Sequence, residues 1–126
     1  MPKKALLGLH GDYGWKNIFE SEGYIVEEAD SVDRMLEKMG IPKDSQPDCA
    51  PANHFDVYFM NTNLGFSNMP VYEPAERIYR HVKKDAEAGN IRFMSASANI
   101  DAVENGQKAG IPCVDITELS DFLNSL

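Results

Sequence analysis

The stretches "ALLGL" at 5–9 and "VYFM" at 57–60 are apolar runs with no polar residue at alternate positions. A strand with one face in water alternates apolar and polar residues, whereas a strand covered on both faces does not. Two such runs in a chain of 126 residues call for a sheet sandwiched between helices, the usual setting of parallel strands. The two runs extend over 4–9 and 55–60, and three more of strand length lie at 24–28, 91–95 and 112–116.

Helical patterns separate these runs. Trp15, Ile18 and Phe19 share one helical face, and Gly23 follows as a stop. Ser31 precedes Val32, Met35, Leu36 and Met39 at helical spacing, and Gly40 ends that pattern. Pro74 suits a first helical turn, Ala75, Ile78, Tyr79, Val82 and Ala86 form a stripe, and Gly89 terminates it. Asn99 or Asp101 opens a fourth helix ending near Ala109 and Gly110; Thr117 caps a fifth, with Leu119, Phe122, Leu123 and Leu126 inward. The order is (βα)5. Right-handed crossovers make it a doubly wound three-layer α/β sandwich, one domain over 1–126. Met35, Met39, Met60 and Met94 fall on core-facing positions. The run His81-Val82-Lys83-Lys84 closes a helix where cations favour the dipole.

Composition narrows the partners. Hydrophobic residues at 43% suffice for a core, and 20 acidic against 12 basic residues give a net charge of −8. Such a surface repels phosphate backbones and anionic lipid, so neither nucleic acid nor membrane is expected. No run approaches the roughly 20 apolar residues that span a bilayer. The start "MPKKALLGLHGDYG" lacks the longer apolar core of a signal peptide and reads as a first strand. Cys49 and Cys113 are far apart and form neither metal-ligand spacing nor a disulfide framework. A reducing cytoplasm is the expected setting.

Two stretches are irregular. Residues 40–54, with three prolines, read as a surface loop and a tolerated insertion; residues 64–74 leave the carboxyl end of the central strand, where function is equally expected. Ligands of open α/β sheets sit beyond the carboxyl ends of the strands, near the switch point of strand order. That rule selects His10-Gly11-Asp12, Asn61-Thr62-Asn63, Ser95-Ala96-Ser97 and Asp115 to Thr117.

"FDVYFMNTNLG" at 55–65, "IRFMSASANIDAVENGQKAGI" at 91–111 and "SEGYIVEEADSVDRMLEKM" at 21–39 resemble the receiver domain of two-component response regulators. The likeness covers most of the chain apart from the two irregular loops. It implies a flavodoxin-like sheet in strand order 2-1-3-4-5 and a site with two acidic residues for Mg²⁺, a phosphoacceptor aspartate, a hydroxyl and a lysine. Matched residue by residue, the acidic pair falls on His10, Gly11 and Asp12, so only Asp12 is a carboxylate. The acceptor falls on Asn61, the hydroxyl on Ser95, and no lysine lies between Asp115 and Thr117.

An acyl phosphate needs a carboxylate nucleophile, which an amide does not supply. Mg²⁺ prefers anionic oxygen ligands, so weak Mg²⁺ binding through Asp12 is the most the site offers, and no cofactor is expected. The missing lysine removes the balancing cation. The resemblance therefore implies a pseudo-receiver, not an enzyme, in which Asp12, Asn61 and Ser95 form a degenerate site. It would dock a protein partner, such as a signalling kinase, an output domain or a second copy, through the face of the fourth helix, fifth strand and fifth helix. The alternative is a small flavodoxin-like enzyme or a nucleotide- or small-ligand-binding protein using His10, Asp12 and Asn61. Asn63, Asp115 and Thr117 are weaker candidates.

Plainer readings stand beside these. Asn61 can satisfy loop backbone, and Asp12 can cap the first helix. His10 at a strand end is more often simply hydrogen-bonded than catalytic, and "HGDYG" is only Gly-rich. Ser95 and Ser97 have no histidine and acid at nucleophile-base spacing.

Overall fold

Residues 3–11, 14–66 and 69–126 are described in a computed structural model of the protein. The apolar runs form β1 (Lys3–Gly8), β2 (Tyr24–Ala29), β3 (Val57–Asn61), β4 (Arg92–Ser97) and β5 (Cys113–Asp115). They pair in parallel in the order β2-β1-β3-β4-β5. The helices are α1 (Trp15–Ser21), α2 (Val32–Met39), α3 (Glu73–Glu87), α4 (Ile100–Lys108) and α5 (Ser120–Asn124). This is the flavodoxin-like arrangement read from the sequence. Among the described residues, no helix is long and apolar enough to cross a membrane.

The lack of alternation in the central strands has its expected cause. Along β3, Tyr58 and Met60 join a core with Met35 and Ile78 from α2 and α3, while Val57 and Phe59 join one with Phe19 and Phe122 from α1 and α5. Each large apolar side chain buried this way contributes roughly 1.5–3 kcal/mol. Phe59 is the hub of the second core: its ring lies 4.8 Å from Trp15 edge-on and 5.7 Å from Phe122 in a stack.

Several helix ends form as the sequence specifies. Ser31 Oγ accepts the Arg34 N–H at 3.2 Å, and Gly40 closes α2 at φ 74°. Of the two candidates for opening α4, Asn99 does so: its Oδ1 accepts the N–H groups of Asp101 and Ala102.

Other details differ. Thr117 does not cap the last helix, whose N-cap is Leu119 with no side-chain cap bond; Thr117 lies in a 3₁₀ turn at Ile116–Glu118, which Asp115 caps by accepting the Thr117 N–H at 2.9 Å. Ile18, expected inward, is 37% exposed, because the short α1 turns only Phe19 fully onto the sheet. Met94 is half-buried and packs against the second core, as its core-facing position implies. β3 starts at Val57, and Asp56 just before it bonds the start of β1: its N–H donates to the Lys4 carbonyl at 2.8 Å and its carboxylate accepts the Lys4 N–H at 2.9 Å.

The segment 40–54, read as a tolerated insertion, is tied down. Ile41 is buried. The Asn53 N–H donates to the Met39 carbonyl at 3.0 Å, and its Nδ2 donates to the Lys38 carbonyl at 2.9 Å. His81 of α3 binds the Cys49 carbonyl through Nδ1 at 2.8 Å.

Candidate functional site

The carboxyl ends of β1, β3 and β4 meet in a network of amides and hydroxyls. Asn61 is the last residue of β3 and 2% exposed. Its Oδ1 accepts the His10 N–H at 2.8 Å, beyond β1, and its Nδ2 donates to the Ala96 carbonyl in β4 at 3.4 Å. Both functions of the amide are used. A carboxylate there would retain the acceptor and lose the donor.

Asn63 stands at the next junction. Its Oδ1 accepts from Ser97 Oγ at 3.3 Å and faces His10 Nε2 at 3.4 Å. Its Nδ2 donates to the carbonyls of Phe66 at 3.3 Å and Met69 at 3.1 Å. Gly65 N–H points at His10 Nδ1 at 3.5 Å. With Nδ1 accepting, the ring proton belongs on Nε2, which suits donation to Asn63. Ser97 Oγ also accepts the Asn99 N–H at 3.0 Å, so the network runs into the cap of α4.

Ser95 lies elsewhere. The register pairs Asn61 with Ala96 and Met60 with Ser95. Alternation therefore sends the Ser95 side chain to the sheet face opposite Asn61. There it accepts from Thr62 Oγ1 at 3.0 Å and donates to the Pro112 carbonyl at 2.8 Å. Asn61 and Ser95 share an end of the sheet but not a cluster. Asp12 lies outside the described residues.

At β5, Asp115 Oδ1 accepts both the N–H of Thr117 at 2.9 Å and its hydroxyl at 2.8 Å. The backbone N–H first, and then the hydroxyl, hold its carboxyl below the usual range. Both residues are thus occupied with each other.

His10 and Gly11 border an open depression of about 650 Å³ between α1 and α2. Of its charged residues, Lys16 pairs with Glu28 at 3.8 Å and Arg34 with Asp30 at 3.3 Å, while Lys38 pairs with Glu27 outside the lining at 3.5 Å. Asn61 does not line it. Among the described residues, no three His, Cys, Asp or Glu side chains group as metal ligands.

The network is neutral and internally hydrogen-bonded. Every polar side chain at the ends of β3 and β4 is neutral: Asn61, Thr62 and Asn63, then Ser95 and Ser97. Every buried polar side-chain atom among the described residues has a partner. What the sequence did not mark was Ser97 as the contact to Asn63, and Thr62 as the partner of Ser95. The small-residue run "SASA" at 95–98 was the available signal, since nothing in it ends the strand at Ser95. Neither a family model, nor a curated protein, nor a solved structure matches the chain.

Proposed function

We propose that the protein is an atypical receiver-like signalling module of the cytoplasm that acts by docking a protein partner and carries no phosphoryl group. One observation carries the reading. The amide and hydroxyl network at the carboxyl ends of the strands ties down the backbone of segments that carry exposed apolar side chains. Asn63 fixes the carbonyls of Phe66 and Met69, and Ser97 fixes the start of α4. Beside these contacts Phe66 is 49%, Met69 48% and Ile100 50% exposed. Large apolar side chains gathered near one rigid end of a sheet are the kind of feature that marks an interaction surface. Ile100 opens α4, so this surface adjoins the face on which receivers dock. The formal charge of −8 disfavours nucleic acid and anionic lipid as the partner.

The depression beside His10 favours a second reading, a small-ligand protein using His10. The two separate by experiment. Intact mass after incubation with acetyl phosphate should be unchanged, and Mg²⁺ should bind only weakly. Photo-crosslinkers placed at Phe66, Met69 and Ile100 should trap one common protein in the native cell, and crosslinkers at Lys83 and Glu87 should not. A gain of one phosphoryl mass that disappears in His10 or Asn61 variants would overturn the reading, as would crosslinking indifferent to position.

A further inference from the structure

A cleft of about 590 Å³ opens between α2, α3 and the segment that follows Gly40. It shares no lining residue with the amide network and owes one wall to the 40–54 segment. Its apolar lining comes from Leu36, Ile41 and Pro42. Ile41 is buried and anchored, its N–H donating to the Leu36 carbonyl at 3.0 Å. The wall is therefore fixed rather than draped.

The polar lining carries charge of both signs. Lys43, Arg77 and Arg80 face two carboxylates, Asp33 and Glu37, leaving a surplus of one positive charge in a chain of net charge −8. Arg77 is committed to Asp33 at 3.5 Å. Lys43 and Arg80 form no ion pair among the described residues.

His81 supplies the remaining feature. It is buried, and Nδ1 is taken by the Cys49 carbonyl. No buried polar side-chain atom of the described residues lacks a partner, and Nε2 has none. Nε2 is therefore within reach of solvent, and His81 lines the cleft.

An apolar floor, a few convergent polar groups and a volume of this size are the usual attributes of a small-molecule site. We propose that this cleft binds an organic monocarboxylate with an apolar body. The body lies on Leu36, Ile41 and Pro42, and the carboxylate meets Arg80 and Lys43. One surplus charge and the nearby Glu37 select a monoanion over a phosphate dianion, since each additional negative charge would face that carboxylate unpaired. The long segment is then a functional insertion: it builds a wall that a shorter connection would lack.

Octanoate is a suitable probe, titrated below its aggregation range and followed through the amide ¹H–¹⁵N spectrum. Saturable shifts are expected at Ile41, Lys43, Arg80 and His81, with a Kd below about 1 mM. Acetate, which lacks the body, and octylammonium, which reverses the charge, should leave these amides in place. The double variant Lys43→Glu/Arg80→Glu changes two exposed side chains and should weaken octanoate at least tenfold while leaving the rest of the spectrum intact; Lys43→Ala/Arg80→Ala should weaken it in the same direction. The proposal is overturned by an absence of saturable shifts here, by equal shifts with octylammonium, by undiminished binding in both double variants, or by shifts gathered at Phe66, Met69 and Ile100 instead.

Discussion

Asn61 Oδ1 accepts the backbone N–H of His10 at 2.8 Å, so the end of β3 fastens the turn beyond β1. The same amide donates to Ala96 across the other neighbour. Asn61→Asp keeps the first contact and sets a buried carboxylate against a carbonyl oxygen. The expected loss is about 1–3 kcal/mol at neutral pH, the range for a buried group left without its partner. Urea unfolding followed by Trp15 fluorescence measures it. A loss below about 0.5 kcal/mol would mean the donor contact to Ala96 is immaterial. The variant should still take no stable phosphoryl group, because no lysine lies at the end of β5.

Gly106 sits inside α4 where a Cβ would come within 2.8 Å of Cys113 Sγ and 3.4 Å of Tyr72 Cβ. Helix propensity favours alanine by about 1 kcal/mol, while overpacking costs about 1–3 kcal/mol. Gly106→Ala is therefore expected to destabilise modestly. Cys113→Ala removes the obstructing sulfur, so Gly106→Ala should cost less, or stabilise, in that background. A double-mutant cycle with no coupling between the two sites would contradict the predicted clash.

Acid should weaken one contact at the amino end of the sheet. The backbone N–H of Lys4 holds the Asp56 carboxyl below its ordinary value of 3.8, with His54 assisting. The folded carboxyl thus takes up its proton at lower pH than the unfolded one. Its stabilisation is complete above the ordinary value and is lost as pH falls through the folded one. With the carboxylate partly open to water, the contribution is about 1 kcal/mol. Asp56→Ala should flatten the fall in stability below pH about 4. An unchanged acid limb would contradict the assignment.

At the alkaline limit the residue to watch is Tyr58. Burial, reinforced by Asp85 and Asp56, pushes its phenol from 10.0 up to about 12. The unfolded phenol ionises first, so stability is intact below pH 10.0 and declines as pH rises toward about 12. The decline attributable to Tyr58 is of order 2 kcal/mol, and Tyr58→Phe should remove it. Equal alkaline loss in the two proteins, measured by urea unfolding at stepped pH, would refute the attribution.

The sheet was legible because its code is redundant: five apolar runs, four helical stripes and glycine stops all agree with one winding. Strand ends were less so. Ser95 lay at the presumed end of β4, yet the strand continues to Ser97, since small residues neither break a strand nor announce its end. That shift of two residues separates Ser95 from Asn63 and gives Ser97 the contact. The amide at Asn61 was visible in the sequence, but its two partners are backbone groups of His10 and Ala96, and backbone leaves no trace in residue identity. The anchoring of the 40–54 segment was hidden similarly, for Asn53 and His81 also hold it through carbonyls.

The hydrogen bond from the Asn53 N–H to the Met39 carbonyl makes the long segment a side excursion: the chain departs from the end of α2 and returns to the same spot before entering β3. Closing such a loop costs an entropy that grows only with the logarithm of its length. Residues could be added near Gln46 at little expense to the sheet, and the order in which the strands assemble would be unaltered. For the history of the fold, this is the place where new sequence can be tried without the five strands having to agree to it.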